Sequence, residues 1–186
     1  MRTEREKMLA GDLYNGSDPE LVAKRQRARR LCQELAALAP DASESERAAV
    51  LRQLFGAATD ACVTPPFFCD YGSNIELGRN VYFNFNCVIL DVVRVRVGNN
   101  VLFGPAVQVY TAAHPMSARV RSSGVEFGKP VGIGNDVWLG GGAIVCAGVD
   151  IGDGTVIGAG GVVVGNIPAG VFAAGNPCRV IREIEQ

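Results

Sequence analysis

The sequence predicts a mainly β protein built as a parallel β-helix, and three observations carry that prediction. From residue 133 to 168 an aliphatic side chain recurs every six positions: Ile133, Leu139, Val145, Ile151, Ile157 and Val163. The next residue is usually glycine, as in Gly134, Gly140, Gly152 and Gly158. Four positions after each aliphatic residue comes a small or β-branched one, from Val137 through Ala143, Val149, Thr155 and Gly161 to Ile167. A period of six matches neither the helical repeat nor strand alternation. It suits a coil of three short sides, about eighteen residues per turn, whose turns stack at the inter-strand distance of ~4.8 Å. The aliphatic residue points inward, and glycine lets the chain turn the corner.

Residues 1–58 read differently, as a small helical cap ahead of the β-helix at 59–186. Lys7 to Tyr14 reads as a short helix broken at Gly11. Ser17-Asp18-Pro19-Glu20 is a helix start, with a capping side chain, proline in the first turn and an acid at the positive end of the dipole. Leu21, Ala28, Leu31, Leu35 and Leu38 continue it at helical spacing. The run KRQRARR within it reads as a solvated face, since ten acids offset ten bases in the first sixty residues. Ser43 and Glu46 have capping-box spacing, Leu51, Leu54 and Phe55 form an apolar face, and Gly56 ends the helix.

Residues 60–74, rich in proline and aromatics, read as an extended lead-in. Hexads then begin at Leu77, with Phe83 and Ile89 in phase. Two added residues around Asp91 to Arg96 should bulge one corner before Val97, Phe103 and Val109 resume the phase. The pattern breaks for a long excursion loop, about 112–130, before restarting at Ile133. Loops of that length in compact folds are usually functional. A Gly-Asn-Pro turn and a charged tail follow the last hexad.

Composition narrows the function. A chain of 186 residues with 48% hydrophobic and 20% charged residues and a net charge of −1 is an ordinary soluble one, with no basic surplus for nucleic acid or an anionic membrane. No apolar run is long enough to span a bilayer and the start is charged, so a cytoplasmic location is expected. The six cysteines, Cys32, Cys62, Cys69, Cys87, Cys146 and Cys178, are scattered and read as lone reduced thiols. That scatter and a single histidine argue against a metal site.

That histidine, His114, stands at the mouth of the long loop. It is the side chain suited to proton transfer near neutral pH, a general base for a hydroxyl or an amine. Asn84 is placed to stabilise a developing oxyanion, whereas Asn86 reads as a corner residue. Asp91 can accept a hydrogen bond from a polyol, and Glu126 can orient an imidazolium or bind an acceptor. Lys129, Arg179 and Arg182 can hold phosphates or simply be solvated. Trp138 reads as an outward packing residue.

The hexads, TAAHP, SGVEFGKP, the ending AAGNPCRVIREI and the N-terminal EKMLAGDLYNGSDPEL together resemble the hexapeptide-repeat acyltransferases. More narrowly, with YGSNI and NFN, they resemble the maltose and galactoside O-acetyltransferases. The resemblance covers nearly the whole chain. It implies a left-handed coil, a homotrimer with sites between subunits, and acetyl-CoA as donor. His114 matches the catalytic base and Asn84 the asparagine that supports the transition state. Asp70 and Asp91 fall near sugar-binding positions, and Asp70 stands where the maltose enzymes have aspartate. Gly141, Ala159, Arg179 and Arg182 match positions lining the CoA site. Val164 and Gly165 belong with them, but relatives commonly read Val-Thr-Lys-Asp there, and Gly165 replaces the lysine. Gly16 stands where the galactoside cap has an acceptor-binding aspartate. The expected activity is O-acetylation of a sugar hydroxyl; N-acetylation of an amine and a non-catalytic structural β-helix are the alternatives.

Overall fold

The computed structural model describes residues 2–185. Three helices come first: α1 (Glu4–Leu9), α2 (Pro19–Ala37) and α3 (Glu44–Phe55). Each begins where a side chain can satisfy its free amides. Thr3 and Ser43 form capping boxes with Glu6 and Glu46, and Asp18 accepts from the Glu20 N–H ahead of Pro19. Gly56, at φ 74°, stops α3 in the left-handed conformation that glycine adopts without a Cβ clash. The expected apolar face of α2 is buried through Leu21, Ala28, Leu31 and Leu35. The first helix ends before Gly11, where the break is expected, but Tyr14–Asn15 beyond it is a short strand, antiparallel to Val125–Gly128 of the long loop. Its partner is remote in sequence, so no local period marks it.

Beyond α3 the chain coils into a prism of three parallel sheets. On the first face lie Cys62–Val63, Tyr82–Phe83, Leu102–Phe103, Trp138–Leu139, Val156–Ile157 and Val171–Ala174. The second face stacks Phe67–Cys69, Cys87–Leu90, Gln108–Tyr110, Ile144–Val145 and Val162–Val163. The third stacks Ile75–Leu77, Val95–Val97, Val131–Ile133 and Asp150–Ile151. The coil therefore starts two sides earlier than the hexads suggest. Val63 and Cys69 already hold the inward phase, hidden in sequence by the Pro65-Pro66 pair and the neighbouring aromatics.

The inward columns explain how the cap fits. Phe83 and Phe103 stack with centroids 4.3 Å apart, Phe67 meets Phe83 edge-on, and Phe55 from α3 closes the column on Phe67. Cap and coil share one continuous hydrophobic core, with Ala28, Leu31, Leu35 and Leu54 packed into the same cluster as Phe67, Phe83 and Ile89. Between the third and first faces, Asn99, Asn135 and Asp153 form a ladder in which each side-chain oxygen accepts from the backbone N–H of the coil before it. Outward residues divide by face. The first and second faces present Leu102, Trp138 and Phe68, each about half exposed, whereas the third presents Glu76, Arg96 and Asp150. Among the described residues no helix is long and apolar enough to cross a membrane.

Candidate active site

The corner between the second and third faces is where the repeat is stretched. Cys69 to Leu77 and Ile89 to Val97 each span eight residues instead of six, so the predicted insertion at Asp91 to Arg96 recurs one coil below. In the next coil the same corner opens into the long loop. Asp91 pins this edge. It is fully buried, and its carboxylate accepts from the Asp70, Tyr71 and Asn74 N–H groups at 3.1, 2.8 and 3.2 Å. Loss of solvation pushes its pKa up to about 7 against the pull of those amides. Above it, Thr111 accepts from the Val93 N–H and donates to the Leu90 carbonyl. Asp91 thus stands behind the surface and shapes it rather than facing a ligand, as expected from sequence; its neighbour Asp70 is the carboxylate that lines the cleft.

The loop is ordered rather than irregular. Ala112–Ala113 pairs with Val125–Gly128, which in turn pairs with Tyr14–Asn15, and α4 (Ala118–Arg121) spans the tip. This three-stranded ribbon and the N-terminal half of α2 wall a cleft of ≈ 390 Å³ over the stretched corner. His114 enters from the loop with its side chain 59% exposed, and its Nε2 lies 4.0 Å from Glu126 Oε2. Asp70 forms the floor; burial raises its carboxyl, while Arg25 pulls it back. Arg25 donates to the Tyr71 hydroxyl at 2.7 Å and to the Gly16 carbonyl at 2.6 Å, tying the cap to the coil. Arg29 lines the same wall. Two carboxylates and two guanidiniums leave the cleft balanced in charge, which suits a neutral polyol better than an anion or a cation.

Glu126 is seated by its neighbours. A Cβ at Gly16 would lie 2.0 Å from Glu126 Oε1, so the carboxylate occupies the space that any side chain at position 16 would need. Tyr14, opposite Glu126 in the ribbon, is buried with its hydroxyl lacking a hydrogen-bond partner among the described residues, and burial with the Glu126 charge pushes that phenol up.

The remaining expected residues lie on another edge. Asn84 follows the first-face strand Tyr82–Phe83 and turns the corner toward the second face. Its Oδ1 accepts from the Phe85 N–H at 2.8 Å, and the residue is half-buried. Gly141 and Ala159 stand two residues after Leu139 and Ile157, stacked farther along the same corner. Val164 and Gly165 leave the second-face strand Val162–Val163, both exposed. Arg179 and Arg182 lie on the exposed terminal strand Arg179–Glu183, antiparallel to Val171–Ala174, with Arg182 over the Phe172 ring at 5.7 Å. One chain therefore gathers Asp70, His114 and Glu126 on one edge, with Val164 and Gly165 farther along it, and carries Asn84, Gly141 and Ala159 on another, with the second face between them. Lys129 is exposed beside Gly148.

A family model described as the maltose acetyltransferase hexapeptide capping motif matches residues 7–59. Galactoside O-acetyltransferase of Escherichia coli is 42% identical over 180 residues, 96% of this chain and 88% of the relative. The crystal structure of a maltose O-acetyltransferase from Clostridium difficile 630 superposes with a TM-score of 0.96 at 46% identity, covering 100% of this chain and 99% of that one. The chain belongs to the hexapeptide-repeat acetyltransferases of the maltose and galactoside O-acetyltransferase group. Its coil is the left-handed β-helix of that family. Another member, from Vibrio cholerae O1 biovar eltor, was solved with acetyl coenzyme A; it is 37% identical, with a TM-score of 0.90 and 100% coverage of both chains.

Hexads report the coil but not the walls around it. Ser17, Arg25 and Arg29 line the cleft without being singled out from sequence. The only trace was the basic run of α2, read as solvated, whose residues 25 and 29 are one helical turn apart and share a face. Among the described residues no group of three or more His, Cys, Asp or Glu side chains is arranged to hold a metal ion.

Proposed function

We propose that this protein transfers the acetyl group of acetyl-CoA to a hydroxyl of a neutral sugar resembling maltose or glucose, directly and without an acyl-enzyme. His114 takes the hydroxyl proton as the oxygen attacks the thioester carbonyl. A tetrahedral oxyanion forms, and its collapse expels the CoA thiolate. Glu126, 4.0 Å from the imidazole, stabilises the protonated ring. Asp70, Arg25 and Arg29 hold the sugar hydroxyls, and Asn84 donates its NH₂ to the oxyanion. Gly141, Ala159, Val164, Gly165, Arg179 and Arg182 line the donor groove, the arginines facing phosphates.

The single observation that carries this reading is the charge-balanced cleft into which the only histidine projects beside a carboxylate, in a chain of this family. The separation of the two halves of the site on different edges supports a homotrimer, in which one chain's Asn84 edge meets another's His114 edge. The half-exposed apolar residues on the first and second faces, Leu102, Trp138 and Phe68, support the same packing. A soluble, cytoplasmic enzyme is the setting that fits.

Turnover with acetyl-CoA against a panel of sugars and amines, read by release of free CoA thiol, tests the reading. Acceptor-dependent release with glucose or maltose is the expected result. Release with amines alone would move the assignment to N-acetylation, and none with any acceptor would overturn it.

A further inference from the structure

Behind the cleft, two of the six cysteines meet. Cys32 on α2 and Cys69, the last residue of the Phe67–Cys69 strand, bring their sulfurs to 3.9 Å in an S–H···S contact across 37 positions of sequence. Both are buried, at 6% and 7% exposure. The others are isolated: Cys62 is exposed, Cys146 half-buried, Cys178 buried, and Cys87 donates to the Gly104 carbonyl. We propose that Cys32 and Cys69 are a latent disulfide, a modification site at which a peroxide joins the cap covalently to the coil beside the acceptor cleft.

A disulfide needs its sulfurs at about 2.05 Å, so these close by roughly 1.9 Å. Either sulfur can donate in that contact, and in the step that follows Cys32 attacks. The Cys32 thiolate attacks one peroxide oxygen, the O–O bond breaks, and the departing hydroxide takes up the thiol's proton as water, leaving a sulfenic acid. The Cys69 sulfur then displaces the sulfenic hydroxyl, the S–S bond forms, and a second water leaves with the Cys69 proton. Two thiols lose two electrons in all, and hydrogen peroxide is reduced to two waters.

The contraction acts on both walls of the cleft. Arg29 and Arg25 precede Cys32 on α2 by about one and two turns, and Asp70 follows Cys69 directly. A change in acceptor KM rests on the acetyl transfer proposed above; the cross-link itself does not.

The test uses the full chain carrying Cys62→Ser, so that the tryptic segment 53–79 contains Cys69 alone. After hydrogen peroxide at neutral pH, the protein is alkylated in denaturant and mapped without reduction. The expected result is a link between segments 31–47 and 53–79 that dithiothreitol reverses. It should raise Tm by about 5–10 °C and shift acceptor KM at least ~3-fold at unchanged acetyl-CoA KM. Alkylated Cys32 and Cys69 after peroxide has consumed the remaining thiols would overturn the proposal, as would sulfinic acid at either residue without the link. Loss of the link and of the Tm rise in Cys32→Ser supports it; a persisting Tm rise in that variant contradicts it.

Discussion

Gly16 is the position at which one methyl group should disable the site without unfolding the protein. Its φ is not left-handed, so the backbone tolerates alanine, but the added Cβ would stand 2.0 Å from Glu126 Oε1 and 3.0 Å from Glu126 Cδ. To reach ordinary contact the carboxylate must withdraw by at least ~1.4 Å. The carboxylate is the far end of a flexible, partly exposed side chain, so stability should change by less than about 1 kcal/mol. The catalytic consequence is larger. An exposed carboxylate–imidazolium pair contributes up to about 1 kcal/mol, and a misplaced acceptor contact adds to that, so kcat/KM in Gly16→Ala should fall about 10-fold. Glu126→Ala should fall similarly. If the glycine acts by making room for the carboxylate, the double variant Gly16→Ala/Glu126→Ala should be no slower than Glu126→Ala alone. The assay is steady-state thiol release at saturating acetyl-CoA, with Tm measured alongside. Losses that multiply to ~100-fold in the double variant would refute the reasoning, because independent residues add in free energy and coupled ones do not.

His114→Ala should lower kcat by about 10²–10⁴ while leaving urea unfolding within about 0.5 kcal/mol, because the ring is largely exposed; turnover near wild type would remove its role as base. Asp91 makes a pH prediction. Its pKa is raised from an ordinary 3.8 to about 7, first by desolvation and against the Tyr71 N–H. Its stabilising contribution is therefore complete below the unfolded value and lost as pH rises through about 7. Between about pH 4 and 8 wild-type stability should fall more than that of Asp91→Asn, by up to roughly 4 kcal/mol; parallel profiles in urea titrations would contradict this. Gly165→Lys should fold with unchanged Tm, since no heavy atom lies within 4 Å of the built Cβ. It should also lower acetyl-CoA KM about 3–10-fold by adding a cation to the donor groove; an unchanged KM would place the phosphates elsewhere.

How legible the protein is from its sequence depends on whether the cause is local. The coil is legible because each hexad states its own inward residue, and the phase through Ile133, Leu139 and Val145 survives to Val163. The first coil is not, because Pro65, Pro66 and Phe68 mask Val63 and Cys69, and only pairing with Tyr82–Phe83 and Cys87–Leu90 restores the register. The capping boxes at Thr3 and Ser43 need three neighbouring residues, and the one at Ser43 can be read from spacing alone. Tyr14 cannot, since its strand exists only against Val125–Gly128. At the site, His114 stands out as the single histidine beside the long loop, but Asp91 misleads. A carboxylate next to an insertion looks like a ligand contact, yet Asp91 turns inward and accepts from the Asp70, Tyr71 and Asn74 amides of the stretched corner. The scattered cysteines mislead in the opposite direction, for Cys32 and Cys69 become neighbours only when α2 lies on the first coil.

The central claim is that a complete site takes its base from one chain and its oxyanion donor from another. Co-refolding inactive His114→Ala chains with inactive Asn84→Ala chains in equal amounts tests it directly. Random assembly into a cyclic trimer leaves about one interface in four with both residues intact, so activity should return to about a quarter of wild type. If base and donor serve the same chain's site, every chain carries one defect and the mixture stays as inactive as its parts.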